Sequence, residues 1–488
     1  MQFNSAQFLI FFALVVWAYF RLPYRLRWIL LLAASYVFYM AWRVEYALLI
    51  LASTLVDYIA GIRMARIKGR GGRTKYLLMS LAANLSLLFT FKYFNFFGHS
   101  LGQLCGFLDI PVEIPHLNVL LPVGISFYTF QTLSYTIEVY RDNQEPERHF
   151  GRFALYVAFF PQLVAGPIER PMNLLPQLHG EHDFNYERVR DGLMLMLWGM
   201  FKKVVVADRL AVIVDHVYGT PERYPGPLLV LGTVFFAFQI YCDFSGYSDI
   251  AIGAAKVFGV KLMRNFNRPY VARSVAEFWQ RWHISLSTWF RDYVYIPLGG
   301  NRTSLRSWLA NLMFVFVVSG LWHGANWTFL VWGALHGSFY IVGRLTRGMR
   351  QRAAEHVGLN RVSKLHSAIQ ILVTFALVCI GWIFFRADTL GEAVFVLRGS
   401  FTGWFSLADY GGFARLMASM DLSVKAFAVS GASLIFVLFA EWLQGTATVV
   451  EWLKSKPVWV RWPVYMAVGL AIMNLGMPEE IPFIYFQF

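Results

Sequence analysis

Two histidines stand in tryptophan-rich stretches of a mostly apolar chain. His283 lies within Phe278-Trp279-Gln280-Arg281-Trp282-His283-Ile284-Ser285-Leu286-Ser287-Thr288-Trp289. His323 lies within Ser319-Gly320-Leu321-Trp322-His323-Gly324-Ala325-Asn326-Trp327. Imidazole is the side chain best matched to moving a proton near neutral pH. A polar ring kept inside an apolar membrane protein is costly unless it has a use. The pair therefore points to proton-transfer chemistry in a partly dry site.

The spacing around each ring sets what it can do. If residues 275–292 form one helix, His283, Ser287 and Arg291 fall at i, i+4 and i+8 and make one polar stripe. A histidine beside a hydroxyl and a guanidinium would bind an oxyanion or steer a proton. The same sequence also fits a core histidine bonded to a backbone carbonyl. His323 sits where one apolar run ends and the next begins, between Gly320 and Gly324. Glycines permit close backbone approach, so this ring would reach a cavity or tunnel, or simply tie off a helix end. Trp282, Ser287, Arg291, Trp322 and Asn326 flank the two histidines and are the candidates for substrate contact. His336, in Trp332-Gly-Ala-Leu-His-Gly337, reads as a packing histidine.

Other motifs carry less. Asp243-Phe-Ser-Gly-Tyr-Ser-Asp249 sets two carboxyl groups against an apolar run, and buried acids need partners. They would pair with basic residues or orient a catalytic histidine. Ile250 stands where a second glycine would complete a nucleophile elbow around Ser248. His179-Gly-Glu-His182 is a weak metal spacing and reads as solvated polar residues. Cys105, Cys242 and Cys379 lie far apart, so neither a disulfide framework nor a metal site is expected. Neither a Walker loop nor a dinucleotide fingerprint is present.

The elements that must hold these residues are membrane spans. Of 488 residues 57% are hydrophobic and 15% charged, where a soluble chain carries about a quarter charged. The apolar residues come in long runs, predicting an all-α polytopic membrane protein with spans near 6–20, 28–42, 46–62, 76–97, 119–138, 151–165, 191–215, 227–243, 309–321, 324–343, 367–385, 425–443 and 462–476. Several fall short of the roughly 20 residues that cross a bilayer and are expected to be re-entrant. The first run has no basic residue before it and Arg21, Arg25 and Arg27 after it, the reverse of a cleaved signal peptide, so it is read as a retained span.

The net charge of +14 gathers in the gaps between runs, which topology explains better than nucleic acid does. By the positive-inside rule 21–27, 63–75 and 344–364 face the cytoplasm, 98–118 faces out, and the C-terminus ends on the outer side. The segment 261–306 carries eight Lys or Arg and two acids, interleaved with Trp279, Trp282 and Trp289. It predicts either an interfacial helix with a snorkelling basic face or a cytoplasmic mouth for a phosphorylated donor. The stretch 386–424 is the largest candidate loop. The whole of 1–488 is read as one membrane domain with its motif-bearing core in 119–343.

The long motifs resemble the membrane-bound O-acyltransferases, and most closely their bacterial alginate O-acetyltransferase (AlgI-like) branch. The likeness rests on the segment from Phe278 to Gly300, on Leu321-Trp-His-Gly-Ala325, on Pro122-Val-Gly-Ile-Ser-Phe-Tyr-Thr-Phe-Gln131, on Phe160-Pro-Gln-Leu-Val-Ala-Gly-Pro-Ile168 and on Gln239-Ile-Tyr-Cys-Asp-Phe-Ser-Gly-Tyr-Ser-Asp249. It implies a ring of about 11 to 13 transmembrane or re-entrant helices around a central tunnel. It implies that His283 and His323 are the paired family histidines, with His323 the more widely shared.

It further implies a cytoplasmic thioester donor, acetyl-CoA above all, with no bound cofactor. The acceptor would be an exported polysaccharide such as alginate, reached through an extracytoplasmic acyltransferase partner at the bacterial inner membrane. Phe483-Ile-Tyr-Phe-Gln-Phe488 resembles a terminal motif tied to acyl relay and partner contact. A lipid or teichoic acid acceptor is the alternative within the same chemistry, and a transporter or translocase is the alternative outside it.

Overall fold

The computed structural model describes residues 1–404, 424–445, 447–477 and 481–486. Among them there are helices and no strand. In chain order these are α1 (Ala6–Arg21), α2 (Tyr24–Met40), α3 (Tyr46–Ala65), α4 (Arg70–Leu88), α5 (Phe94–Phe107), α6 (Ile125–Tyr140), α7 (Phe150–Ala158), α8 (Pro171–Leu178), α9 (Tyr186–Phe201), α10 (Asp208–Gly219), α11 (Gly226–Val257), α12 (Val275–Arg281), α13 (Ile284–Phe290), α14 (Leu305–His323), α15 (Trp327–Leu345), α16 (Arg347–His356), α17 (Ser363–Arg386), α18 (Leu390–Gly399), α19 (Val424–Gln444), α20 (Val449–Lys454) and α21 (Val458–Leu475). Wide π-helical turns at Phe89–Tyr93 and Lys202–Ala207 join α4 to α5 and α9 to α10, and a third follows α13 at Arg291–Tyr295.

The predicted apolar runs all fall on helix, wholly or in part, yet only seven helical segments among the described residues are long and apolar enough to cross a membrane. The others are shorter. The run at 151–165, for example, is helical only over the nine residues of α7, and the buried turns after it are irregular. Helical content outruns crossing length here because short apolar helices can be enclosed by protein instead of lipid. The stretch 386–424 is not simply a loop: α18 occupies part of it, and 405–423 lies outside the described residues.

The chain divides into two compact units. One holds Met1–Met196, Tyr247–Met263 and the tail from Tyr485; the other holds Leu197–Gly246 and Arg264–Ile484. In the first, an aromatic core gathers Phe3, Phe8, Phe38 and Phe160. A polar clasp ties three helices together. Asp57 of α3 accepts from Ser80 Oγ at 2.5 Å, from Asn84 Nδ2 at 3.0 Å and from Thr136 Oγ1 at 3.3 Å, and Ser53 Oγ donates to Asn84 Oδ1 at 2.6 Å. Such hydrogen bonds link spans where lipid offers no hydrophobic drive for helix association.

The second unit carries both histidines. Its α14 and α15 pack backbone to backbone. A Cβ added at Gly320 would lie 2.2 Å from Phe329 O, and one at Gly333 would lie 2.3 Å from Phe316 O. Only glycine permits that approach, the usual device of tightly paired spans. Asn326 caps α15 by accepting from Thr328 N at 3.1 Å.

Candidate active site

Residues 275–292 are not one helix. α12 ends at Arg281, and His283 takes a left-handed backbone at φ 42° before α13 begins. The cause lies in an upstream segment. Asn265 O accepts from Ile284 N at 2.9 Å, while Asn265 Oδ1 accepts from Ser285 N at 3.2 Å and from Ser285 Oγ at 2.9 Å. One asparagine thus serves the start of α13 and holds the turn open. A residue other than glycine in this region is strained, and such strain gathers at functional sites.

The break dissolves the expected stripe. His283 is fully buried, whereas Arg291 is exposed and bonds Asp292 at 2.7 Å. Ser287 Oγ donates to Trp282 O at 3.3 Å. Asn326 is likewise committed to structure: besides capping α15, its Nδ2 donates to Asp388 O at 2.9 Å.

The two histidines do meet. His323 ends α14, and its ring centroid lies 6.2 Å from that of His283. Trp322 sits 5.9 Å from His283 and 5.0 Å from His323. Phe244 closes on His283 edge-on at 4.7 Å, and Trp332 and Phe385 close on His323 at 5.0 and 5.4 Å. Trp282 is buried against Phe278 and Trp382. Loss of water pushes the His283 imidazole down to about 3, so it stays neutral at physiological pH. Asn265→Ala is expected to release the turn and reduce activity by at least tenfold with the protein still folded, measured as turnover beside a melting curve.

A cavity of about 1450 Å³ lies in the same unit. Arg273 enters it ahead of α12, Arg344 from the end of α15, and Arg347 and Arg350 from α16; among the described residues no carboxylate lines it. Only Arg273 comes from the basic block 261–306. The other three belong to 344–364, whose charge signals topology in the sequence and gives no sign of a shared cavity. Phe339 and Tyr340 line it too, on the helix whose Trp332 touches His323.

The paired carboxyl motif has a structural explanation in part. Asp243 Oδ2 accepts from Lys203 Nζ at 2.7 Å, and Asp208 bonds the same ammonium at 2.8 Å. Lys203 is fully buried and also donates to Pro482 O at 3.1 Å, while Ile484 N donates to Asp243 Oδ1 at 3.1 Å. The acid pairs with a lysine outside the basic block and does not orient a histidine. The end of the chain is seated against this cluster, with Phe483 and Ile484 buried. Glu479, Glu480, Gln487 and Phe488 lie outside the described residues. His179 bonds Glu147 at 2.6 Å, and His182 bonds Gln177 O at 2.8 Å.

Comparison with known proteins fits this geometry. The sequence profile of MBOAT, the membrane-bound O-acyltransferase family, matches residues 148–356, which include both histidines. A probable alginate O-acetylase AlgI of Azotobacter vinelandii is 35% identical over the full length of both chains. The chain belongs to the membrane-bound O-acyltransferase family. It falls in the alginate O-acetylase branch of that family and is an integral membrane O-acyltransferase. A probable alginate O-acetylase AlgI of Pseudomonas aeruginosa is 40% identical over 80% of this chain and 73% of its own. A peptidoglycan O-acetyltransferase of Helicobacter pylori is 36% identical over 76% of this chain and 72% of its own.

Proposed function

We propose that this O-acyltransferase takes an acetyl group from a cytoplasmic phosphopantetheine thioester, acetyl-CoA, and delivers it across the bacterial inner membrane to an exported polysaccharide such as alginate, through an extracytoplasmic acyltransferase partner. The observation that carries the reading is the cavity lined by four guanidiniums and, among the described residues, no carboxylate, in the unit that holds the histidine pair. Guanidinium is the side chain best suited to phosphate, and 344–364 faces the cytoplasm by the positive-inside rule.

In this reading His323 takes the proton of the attacking hydroxyl as the acceptor oxygen bonds the acetyl carbon. The carbon–sulfur bond breaks, and the thiolate receives that proton. His283, neutral and locked by the Asn265 turn, hydrogen-bonds the developing oxyanion or the incoming group. The aromatic walls keep water from the thioester. The cavity arginines hold the donor phosphates, and Trp322 packs against both imidazoles.

Deletion of the gene is expected to remove ester-linked acetate from the exported polysaccharide, read by mass spectrometry after mild alkaline release. The Helicobacter pylori relative favours a second reading, in which the acceptor is peptidoglycan. Loss confined to the peptidoglycan fraction would move the assignment there, and unchanged acetate in every fraction would overturn both. For the donor, Arg344→Gln with Arg350→Gln is expected to raise the acetyl-CoA KM about tenfold, an effect that salt mimics in the parent protein. An unchanged KM would remove the cavity from donor binding.

A further inference from the structure

α12 is a helix of seven residues, and His283 follows just beyond its end. A helix this short is marginal on its own. Two of its side chains hold it in place. Glu277 Oε2 accepts from Arg273 N at 2.8 Å, ahead of the helix. Glu277 Oε1 accepts from Arg281 Nε at 3.0 Å and from Arg281 Nη2 at 2.7 Å. The remaining nitrogen of that guanidinium, Nη1, donates to Asn267 O at 3.2 Å. One carboxylate thus ties the entry of α12 to its last residue. One guanidinium then ties that residue to the segment carrying Asn265.

This segment grips His283 from both sides. Asn267 N donates to Arg281 O at 2.8 Å, before the ring. Asn265 holds Ile284 and Ser285 after it. Only Trp282 and His283 lie between the two grips, and there His283 takes its left-handed backbone. The Asn265 grip is buried. The other is not: the Arg281 and Glu277 side chains are 24% and 30% exposed. An i,i+4 ion pair so open to water adds little stability. Its geometry is nonetheless specific. A planar guanidinium can hold a carboxylate and a carbonyl at once, which an ammonium on a flexible stem does poorly.

We propose that Glu277 and Arg281 are positioning residues for acyl transfer, fixing the near side of the turn that aims the His283 imidazole. The assignment rests on His283 acting in the reaction, as in the function proposed above. Breaking the pair leaves the backbone bond from Asn267 N to Arg281 O. The turn therefore loosens without opening, and the ring is aimed correctly for less of the time. A misaimed group lowers the rate of the chemical step and leaves donor affinity alone.

The test is acetyl transfer from acetyl-CoA by the full-length protein in membrane vesicles, with kcat and KM separated and ester-linked acetate in cells as a second reading. Glu277→Ala is expected to lower kcat about tenfold, with KM within about twofold and the melting midpoint unchanged. Glu277→Gln, whose amide oxygen still accepts from Arg281, should recover most of the rate. Arg281→Lys keeps the charge but loses the fork, and should resemble Glu277→Ala. Combined with Asn265→Ala, Glu277→Ala should add less than its separate loss, because both act on one turn. A raised KM at the parent kcat would overturn the proposal and make Glu277 a donor-binding residue through Arg273. Parent kcat in both Glu277→Ala and Arg281→Lys, with His283→Ala inactive, would overturn it and leave the proposed reaction standing. A lowered melting midpoint with no rescue by glutamine would overturn it in favour of a purely structural pair. His283→Ala at the parent rate would remove the ring from the reaction, and the positioning role with it. Loss of cellular acetate in Glu277→Ala, rescued by Glu277→Gln while the parent transfers nothing from acetyl-CoA, would support the positioning role and overturn the donor.

Discussion

His323→Ala is expected to lower acetyl transfer by about 10²- to 10⁴-fold, the range for loss of a positioned general base. The protein should still accumulate in the membrane. The ring sits at the last residue of α14 and the alanine keeps the helix end, whose Gly324 N–H bonds Gly320 O through backbone alone. The measurement is ester-linked acetate per unit of protein in cells carrying the variant, beside donor binding in vitro. Binding should survive, because the guanidiniums proposed to hold the phosphates are untouched. Normal acetate content with the variant protein present would remove His323 from the chemistry. His323→Gln should be nearly as inactive, since an amide fills the space but takes no proton.

Lys203→Met is expected to be the most destabilising single change outside the site. Asp208 and Asp243 both lean on that one ammonium in a fully buried setting. Removing one partner of a buried pair strands the opposing charge, at about 3 to 5 kcal/mol. The melting midpoint in detergent should fall accordingly. The segment around Pro482 and Phe483 should become more open to an added protease, because it loses its anchor at Lys203. Adding Asp208→Asn and Asp243→Asn should recover part of the loss. An unchanged midpoint for Lys203→Met would show that the cluster is not the anchor its geometry describes.

These residues differ in how far the sequence announces them. The histidine pair is legible from residue type and tryptophan flanks, because an imidazole in an apolar run has few reasons to be there. The spans are legible because hydropathy is a local property, although which of them are long enough to cross depends on where each helix ends. The break at His283 is not legible. Asn265 causes it, well upstream of the helices it separates. The charged seat of the tail joins Lys203, Asp243 and Pro482, which only the fold brings together. The arginine-lined cavity is assembled from Arg273 and three arginines some seventy positions later. Local spacing points to the block 261–306 and does not show that residues of 344–364 share a cavity with it. His336 looks like packing from its neighbours in sequence. Gly381, on another helix, lets that ring pack directly against its backbone, a contact the sequence does not announce.

In the proposed function a thioester enters from the arginine-lined cavity, on the cytoplasmic side, and reacts at His323. Sealed membrane vesicles of defined orientation, given labelled acetyl-CoA from outside, test this directly. Inside-out vesicles should transfer label to lumenal glycan, right-side-out vesicles should not, and inside-out vesicles with His323→Ala should fall to background. Equal labelling from both orientations, or undiminished labelling with His323→Ala, would contradict it.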